Sequence, residues 1–177
     1  MTAGPLDAAA SRHFTYRDLC ECSEAWRRTR VDNRPRSEET YRAMEALARE
    51  VLDPLVEQFG RLTLTYGFAS PALVRVIGRG VAPRLDQHAG HERNRTGQLI
   101  CPRLGQAVDL FVPATSSRDV ARFIVDETPF DRLYIYGDDR PVHVSHGPEN
   151  SRAVILVDRS GLRPLPRRLS GRSLADL

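Results

Sequence analysis

The hydrophobic pattern of this chain changes period at Gly60. Upstream, over 38–59, Tyr41, Met44, Leu47, Val51, Leu52, Leu55 and Val56 recur close to every 3.6 residues, the spacing that lines one face of a helix. Ser37 reads as its N-cap, Glu38 and Glu39 favour its positive end, and Gly60 is a stop. Pro54 predicts a kink, or a split near Leu52. Downstream, Leu62, Leu64 and Tyr66 alternate with Arg61, Thr63 and Thr65, the period of a half-buried strand. An earlier helical stretch is predicted over 16–28, joined to the long helix by a linker at 29–36. Ser70-Pro71 predicts a short helix through Val76, with Ser at the cap and Pro at the first helical position. Strands are predicted at 107–112, 133–136, 142–145 and 153–157, with one helix capped by Ser116 or Ser117 among them. The short links at 137–139 and 147–150 suit antiparallel neighbours. Helices first and then a sheet with a single inserted helix indicate an α+β fold with an antiparallel sheet rather than a doubly wound one.

A length of 177 residues suits one domain with a real core. It is expected over 13–158, between a flexible N-terminus at 1–12 and an Arg- and Pro-rich tail at 159–177 that carries little structure. Hydrophobic residues are 41% and charged residues 28%, which excludes disordered, collagen-like and coiled-coil chains. No stretch approaches the roughly 18–20 apolar residues of a membrane span, and the first residues lack the pattern of a secretory signal. With only Cys20, Cys22 and Cys101, an odd number, a reducing cytoplasm is the expected compartment. The net charge is +3, and all 26 basic residues are Arg. Codon usage accounts for that choice, or a task of gripping phosphate or carboxylate, which the guanidinium fork matches.

The segment 78–105 has no hydrophobic periodicity and holds Gly, Pro, many Arg and two His. So long an irregular run inside a small domain is functional or disordered. The familiar phosphate-loop, dinucleotide, nucleophile-elbow and HExxH patterns are all missing. What remains is a scatter of His and Asp. Asp109 is set into the apolar strand AVDLFV, where a carboxylate is costly unless paired or bound to a metal. His143 alternates with Val142 and Val144 in another strand. His88 opens the irregular loop, in LDQHAGHE. Two His, one carboxylate and an open position form the hydrolytic zinc pattern. Pairing of Asp109 with a buried Arg, and His residues without any ligand role, are the plainer alternatives.

Several stretches carry a resemblance. His13-Phe14-Thr15 precedes a short helix. Tyr66-Gly67-Phe68-Ala69-Ser70-Pro71-Ala72-Leu73 is similar to a "SGYRSPALN" turn. Asp86-Gln87-His88, with Gly105-Gln106-Ala107-Val108-Asp109, is similar to "SxHxxGxAxD". Phe130-Asp131-Arg132-Leu133-Tyr134 and Pro141-Val142-His143-Val144-Ser145 are similar to "FDxLI … WVHVS". In this order, from 13 to about 147, they resemble the zinc peptidase superfamily of D-Ala-D-Ala carboxypeptidases, phage endolysins and hedgehog domains, which points to a bacterial or phage chain. The resemblance implies an antiparallel sheet with helices mainly on one side. It makes His88, Asp109 and His143 the ligands of one Zn2+ that serves in amide hydrolysis.

Departures shape the rest of the reading. His88 and Asp109 stand 21 apart where the family has seven, so an insertion at about 89–104 must loop out. Without that gap Pro102 falls at the His position, with Cys101 beside it as a second-choice ligand. The family's turn Arg is Ala69, and its catalytic Glu aligns with Tyr136. Glu92 or Asp139 is then the candidate base, with Asp138 beside the latter, because a carboxylate can take and return a proton. Arg103 or Arg93 could hold a substrate anion, and Tyr136 is a candidate pocket residue. The leading expectation is a zinc-dependent hydrolase acting on a small-molecule or peptide substrate. The alternatives are a non-catalytic zinc-containing binding module, or a nucleic-acid-associated protein using Arg79, Arg84, Arg93, Arg95, Arg103 and the tail.

Overall fold

A computed structural model describes residues 5–158 and 165–169. The fold is α+β: six strands form one mixed, mostly antiparallel sheet, accompanied by short helices. The strands are β1 (Thr63–Tyr66), β2 (Gln106–Phe111), β3 (Arg132–Ile135), β4 (Val142–His146), β5 (Ala153–Asp158) and β6 (Leu165–Leu169), in the spatial order β1-β2-β4-β3-β5-β6. The helices are α1 (Tyr16–Cys20), α2 (Glu24–Thr29), α3 (Glu38–Leu47), α4 (Asp53–Phe59), α5 (Pro71–Ile77) and α6 (Ser117–Glu127).

Local chemistry explains most of these boundaries. Thr15 and Asp18 close a reciprocal capping box on α1. Ser23, Ser70 and Ser116 each accept a backbone N–H at the start of α2, α5 and α6. The helix predicted over 16–28 is two, because Ser23 opens a new one where α1 has ended. The long periodic helix is divided as well. Between α3 and α4 the backbone widens into a π-type turn over Ala48–Leu52, and Pro54 stands in the first turn of α4. Proline has no N–H to donate and crowds the carbonyl four residues back, so a wider turn ahead of it lets the rod continue. The apolar stripe survives the change: Leu47, Leu52 and Leu55 have no exposed surface. Each such burial contributes about 1.5–3 kcal/mol.

Met44, Leu47, Val51, Leu52 and Leu55, with Val120 and Ile124 of α6, pack against Val108, Leu110, Leu133, Val142, Val144 and Val154. All the strand residues in that group lie on one face of the sheet. Alternation sends Asp109, Tyr134 and His143 to the other face, where Asp109 lies opposite His143, and His143 opposite Tyr134, in the strand register.

Four further expectations fail. The sheet is not wholly antiparallel, because β5 runs parallel to β3. The short link after β4 cannot make a hairpin: β4 is flanked by β2 and β3, so the returning chain takes the free edge of β3. The N-terminus is not frayed from residue 5 onward. Leu6 and Ala10 are buried, and the buried Asp53 carboxylate accepts from Ser11 Oγ at 2.7 Å and from the Arg12 N–H at 3.2 Å. Finally, the tail contributes β6, antiparallel to β5, with Leu169 buried. Residues 1–4, 159–164 and 170–177 lie outside the described residues.

Candidate metal centre

The two strand donors of the group, Asp109 and His143, come from the middle of the sheet, where a ladder holds them. His143 Nδ1 is 2.9 Å from Asp109 Oδ1. The third ligand comes from the irregular segment. His88 Nε2 is 3.2 Å from His143 Nδ1 and 3.3 Å from Asp109 Oδ1. Three side chains far apart along the chain thus meet, close enough to hold a metal ion. Neither His91 nor Cys101 joins them; among the described residues this is the group of such donors that forms.

The orientation of His88 is fixed from behind. Its Nδ1 lies 2.8 Å from the Gly67 carbonyl, which can only accept, so Nδ1 carries a proton and Nε2 is the nitrogen turned toward Asp109 and His143. Gly67 is a position that only glycine fills. A Cβ there would come 2.1 Å from the Leu19 carbonyl oxygen. Ahead of it, the register of β1 slips between Leu64 and Tyr66, leaving Thr65 as an extra residue. Such a bulge re-aims the side chain that follows. Tyr66 accordingly packs on His88, with ring centroids 4.3 Å apart. Tyr134 stands edge-on to the His143 ring at 5.1 Å.

Both imidazoles are nearly sealed, at 2% and 3% exposure, while the Asp109 side chain is 28% exposed. Burial opposes ionisation of Asp109, but the imidazoles of His88 and His143 outweigh it and hold the carboxyl well below its usual range. Burial likewise opposes charge on His88, and the Asp109 carboxylate outweighs it, so that imidazole is raised.

The donor set fits zinc. A tetrahedral ion with ligands at about 2.0–2.1 Å places ligand atoms about 3.3 Å apart, and the three separations here are 2.9, 3.2 and 3.3 Å. His143 Nε2 is buried with no hydrogen-bond partner, so the strand ladder rather than a polar partner aims that ring. All three ligands line a cleft of about 380 Å³. Glu24, Tyr66, Arg79, Asp86 and Tyr136 share its walls.

Of the other residues singled out from the sequence, Tyr136 and Arg79 are in the cleft wall, and Glu92, Asp139, Arg103 and Cys101 are elsewhere. Glu92 caps α3: its Oε1 accepts from the N–H groups of Arg36 and Ser37 and from Thr40 Oγ1 at 2.9–3.0 Å. Asp139 is exposed in the β3–β4 turn. Arg103 donates to the Leu85 carbonyl. Cys101 is buried with its Sγ 3.6 Å from the Arg84 carbonyl. Of the arginines considered for nucleic acid, Arg79 lines this cleft. Sequence reasoning passed over Asp86 and Glu24 as cleft carboxylates and Gly67 as the acceptor for His88. Asp86 carried a signal, standing two residues before a ligand. Glu24 carried none, because α2 reaches the cleft only through the tertiary fold.

Comparison with protein-family models, with curated proteins and with solved structures finds no match. No helix among the described residues is long and apolar enough to cross a membrane.

Proposed function

We propose that this chain is a divergent zinc-dependent hydrolase of an amide or related bond, a remote member of the zinc peptidase superfamily it resembles, with that family's hedgehog- and peptidase-like arrangement. The observation that carries the reading is the meeting of His88 Nε2, Asp109 Oδ1 and His143 Nδ1 at near-tetrahedral spacing beside an open cleft. Two imidazoles and one carboxylate are a borderline set that suits zinc over magnesium or calcium. Zinc in such a site supplies a Lewis acid for a carbonyl and lowers the pKa of water.

The chain's own residues supply the remainder. Asp109 brings the one negative charge among the ligands, and Gly67 holds the His88 tautomer. Asp86 lines the cleft, with Oδ2 accepting from the Ala82 N–H at 3.0 Å and Oδ1 from the His88 N–H at 3.3 Å, and its remaining lone pairs take over proton transfer from Glu92 and Asp139, neither of which lines the cleft. Tyr136 lines the same cleft, where a substrate would meet it. The test is elemental analysis of purified protein together with hydrolysis of a panel of acyl-dipeptides, for wild type and Asp86→Asn. One equivalent of zinc, chelator-sensitive turnover and a loss of at least tenfold in kcat for Asp86→Asn are expected. A wild type without zinc refutes the reading.

A second reading has its own support. With Ala69 where the family has Arg, and with Glu92 tied to α3, the site also suits a zinc-containing module that binds without turning over. Stoichiometric zinc with no hydrolysis across the panel would favour it.

A further inference from the structure

Gln87 is fully buried, has a positive φ of +59°, and immediately precedes the ligand His88. Its side-chain amide has two donors and two acceptor lone pairs, and all are used. Nε2 donates to Asp131 Oδ2 at 2.9 Å and to the Leu104 carbonyl at 2.8 Å. Oε1 accepts from Ser145 Oγ at 2.8 Å and, at 3.4 Å, from Arg132 Nη1. Asp131 is itself held, because Arg132 Nη1 donates to its Oδ2 at 2.6 Å and the Ser151 N–H to its Oδ1 at 2.8 Å.

The partners of this amide are not scattered. Ser145 is on β4, two residues from His143 and on the same face. Leu104 leads into β2, which carries Asp109. One side chain therefore ties together the three segments that bear the three ligands, without touching any of them. The segment bearing His88 has little apolar anchorage, and Leu85 within it is 54% exposed. A residue with a side chain rarely adopts positive φ unless its surroundings enforce it. The four hydrogen bonds of Gln87 do so here, and they set the direction in which the next residue leaves the loop.

We propose that Gln87 is a further positioning residue of the metal centre, fixing the backbone of His88 relative to Asp109 and His143, while Gly67 orients its ring. This rests on the metal-site reading above. Partners that bond a ligand directly typically change metal affinity by about 10–100-fold, and Gln87 acts on the same centre through the backbone of the ligand next to it.

The experiment measures zinc affinity by chelator competition, and the visible spectrum of the cobalt(II)-loaded protein, for four chains. They are wild type, Gln87→Gly, Gln87→Asn and Ser151→Ala. Glycine removes the amide and tolerates the positive φ; asparagine keeps an amide one methylene shorter. Ser151→Ala loosens the far side of the network, where Ser151 Oγ donates to the Asp131 carbonyl at 2.9 Å, without reaching Gln87. At least tenfold weaker zinc binding by Gln87→Gly is expected, with a cobalt spectrum shifted away from the wild-type four-coordinate bands. Gln87→Asn should fall between, and Ser151→Ala should bind as wild type. Wild-type affinity and spectrum in Gln87→Gly overturn the proposal. So does weakening in Ser151→Ala that tracks its lost thermal stability as closely as in Gln87→Gly, or failure of both Gln87 variants to fold, since either makes the role one of general stability. If wild type itself binds no metal, the site reading has failed instead.

Discussion

Replacing Asp109 by Asn is the sharpest perturbation of the metal centre. Asparagine keeps the shape and an oxygen to accept from His143 Nδ1, now 2.9 Å away, so metal-free packing is largely preserved. What is lost is the only negative charge among the three ligands. Free zinc at about 1,000 times the wild-type Kd stabilises the native state by about 4.1 kcal/mol. For a chain of this size, about 2–4 °C per kcal/mol converts that to a rise of about 8–16 °C in Tm. Outer contacts alone are worth about 10–100-fold in affinity; a direct anionic ligand should be worth about 1,000-fold, or about 4 kcal/mol. At the same zinc concentration the variant then has one Kd of metal, a stabilisation of about 0.4 kcal/mol and a rise of about 1 °C. Calorimetry or dye-based melting with zinc and with chelator reads both shifts. A zinc-induced rise in Asp109→Asn of at least half the wild-type value would refute the assignment of its carboxylate as a ligand.

Acidity offers a second check. The depressed Asp109 carboxyl stabilises the metal-free fold above about pH 4 and loses that contribution as pH falls through its lowered native value. The raised His88 stabilises it below about pH 6.5 and loses that contribution as pH rises through its native value. Denaturant titrations in chelator should therefore find this cluster's contribution greatest between about pH 4 and 6.5, while zinc affinity climbs with pH as the raised His88 imidazole sheds its proton. Gly67→Ala forces a methyl against the Leu19 carbonyl; a loss of about 2–4 kcal/mol in unfolding free energy is expected, with zinc binding weakened through the displaced acceptor of His88. Glu92→Ala removes three hydrogen bonds at the start of α3 and should cost about 2–3 kcal/mol while leaving zinc affinity and any turnover per folded molecule unchanged. Asp139→Asn should alter none of these readouts.

Much of this was readable beforehand, for identifiable reasons. Asp109 and His143 stood out because a polar residue inside an alternating apolar run is a local anomaly, and the ladder that pairs them is made of those same runs. Ser70-Pro71 announced α5 through cap chemistry confined to neighbouring residues. The failures are nonlocal. Glu92 reads as a base because a carboxylate in a loop looks idle until the N–H groups of Arg36 and Ser37 arrive from more than 50 residues away. The partner of β5 depended on which edge β2 had already occupied. The order of residues 5–12 depended on Asp53, and the bulge at Thr65 on a register that no single strand encodes.

The excursion between His88 and Asp109 closes on itself. Arg93 bridges to Leu99, and Asn94 Oδ1 gathers the N–H groups of Thr96 and Gln98 together with the Thr96 hydroxyl, at 2.7–3.0 Å. Its tip is a self-contained knot hung between two fixed posts, so its length is free to drift under selection while the posts stay put. Ligand spacing along a polymer of this build is a property of the ornament. Relatives recognised by counting residues between ligands would be overlooked whenever the ornament is trimmed or enlarged, and the same tip offers a place to splice in a reporter.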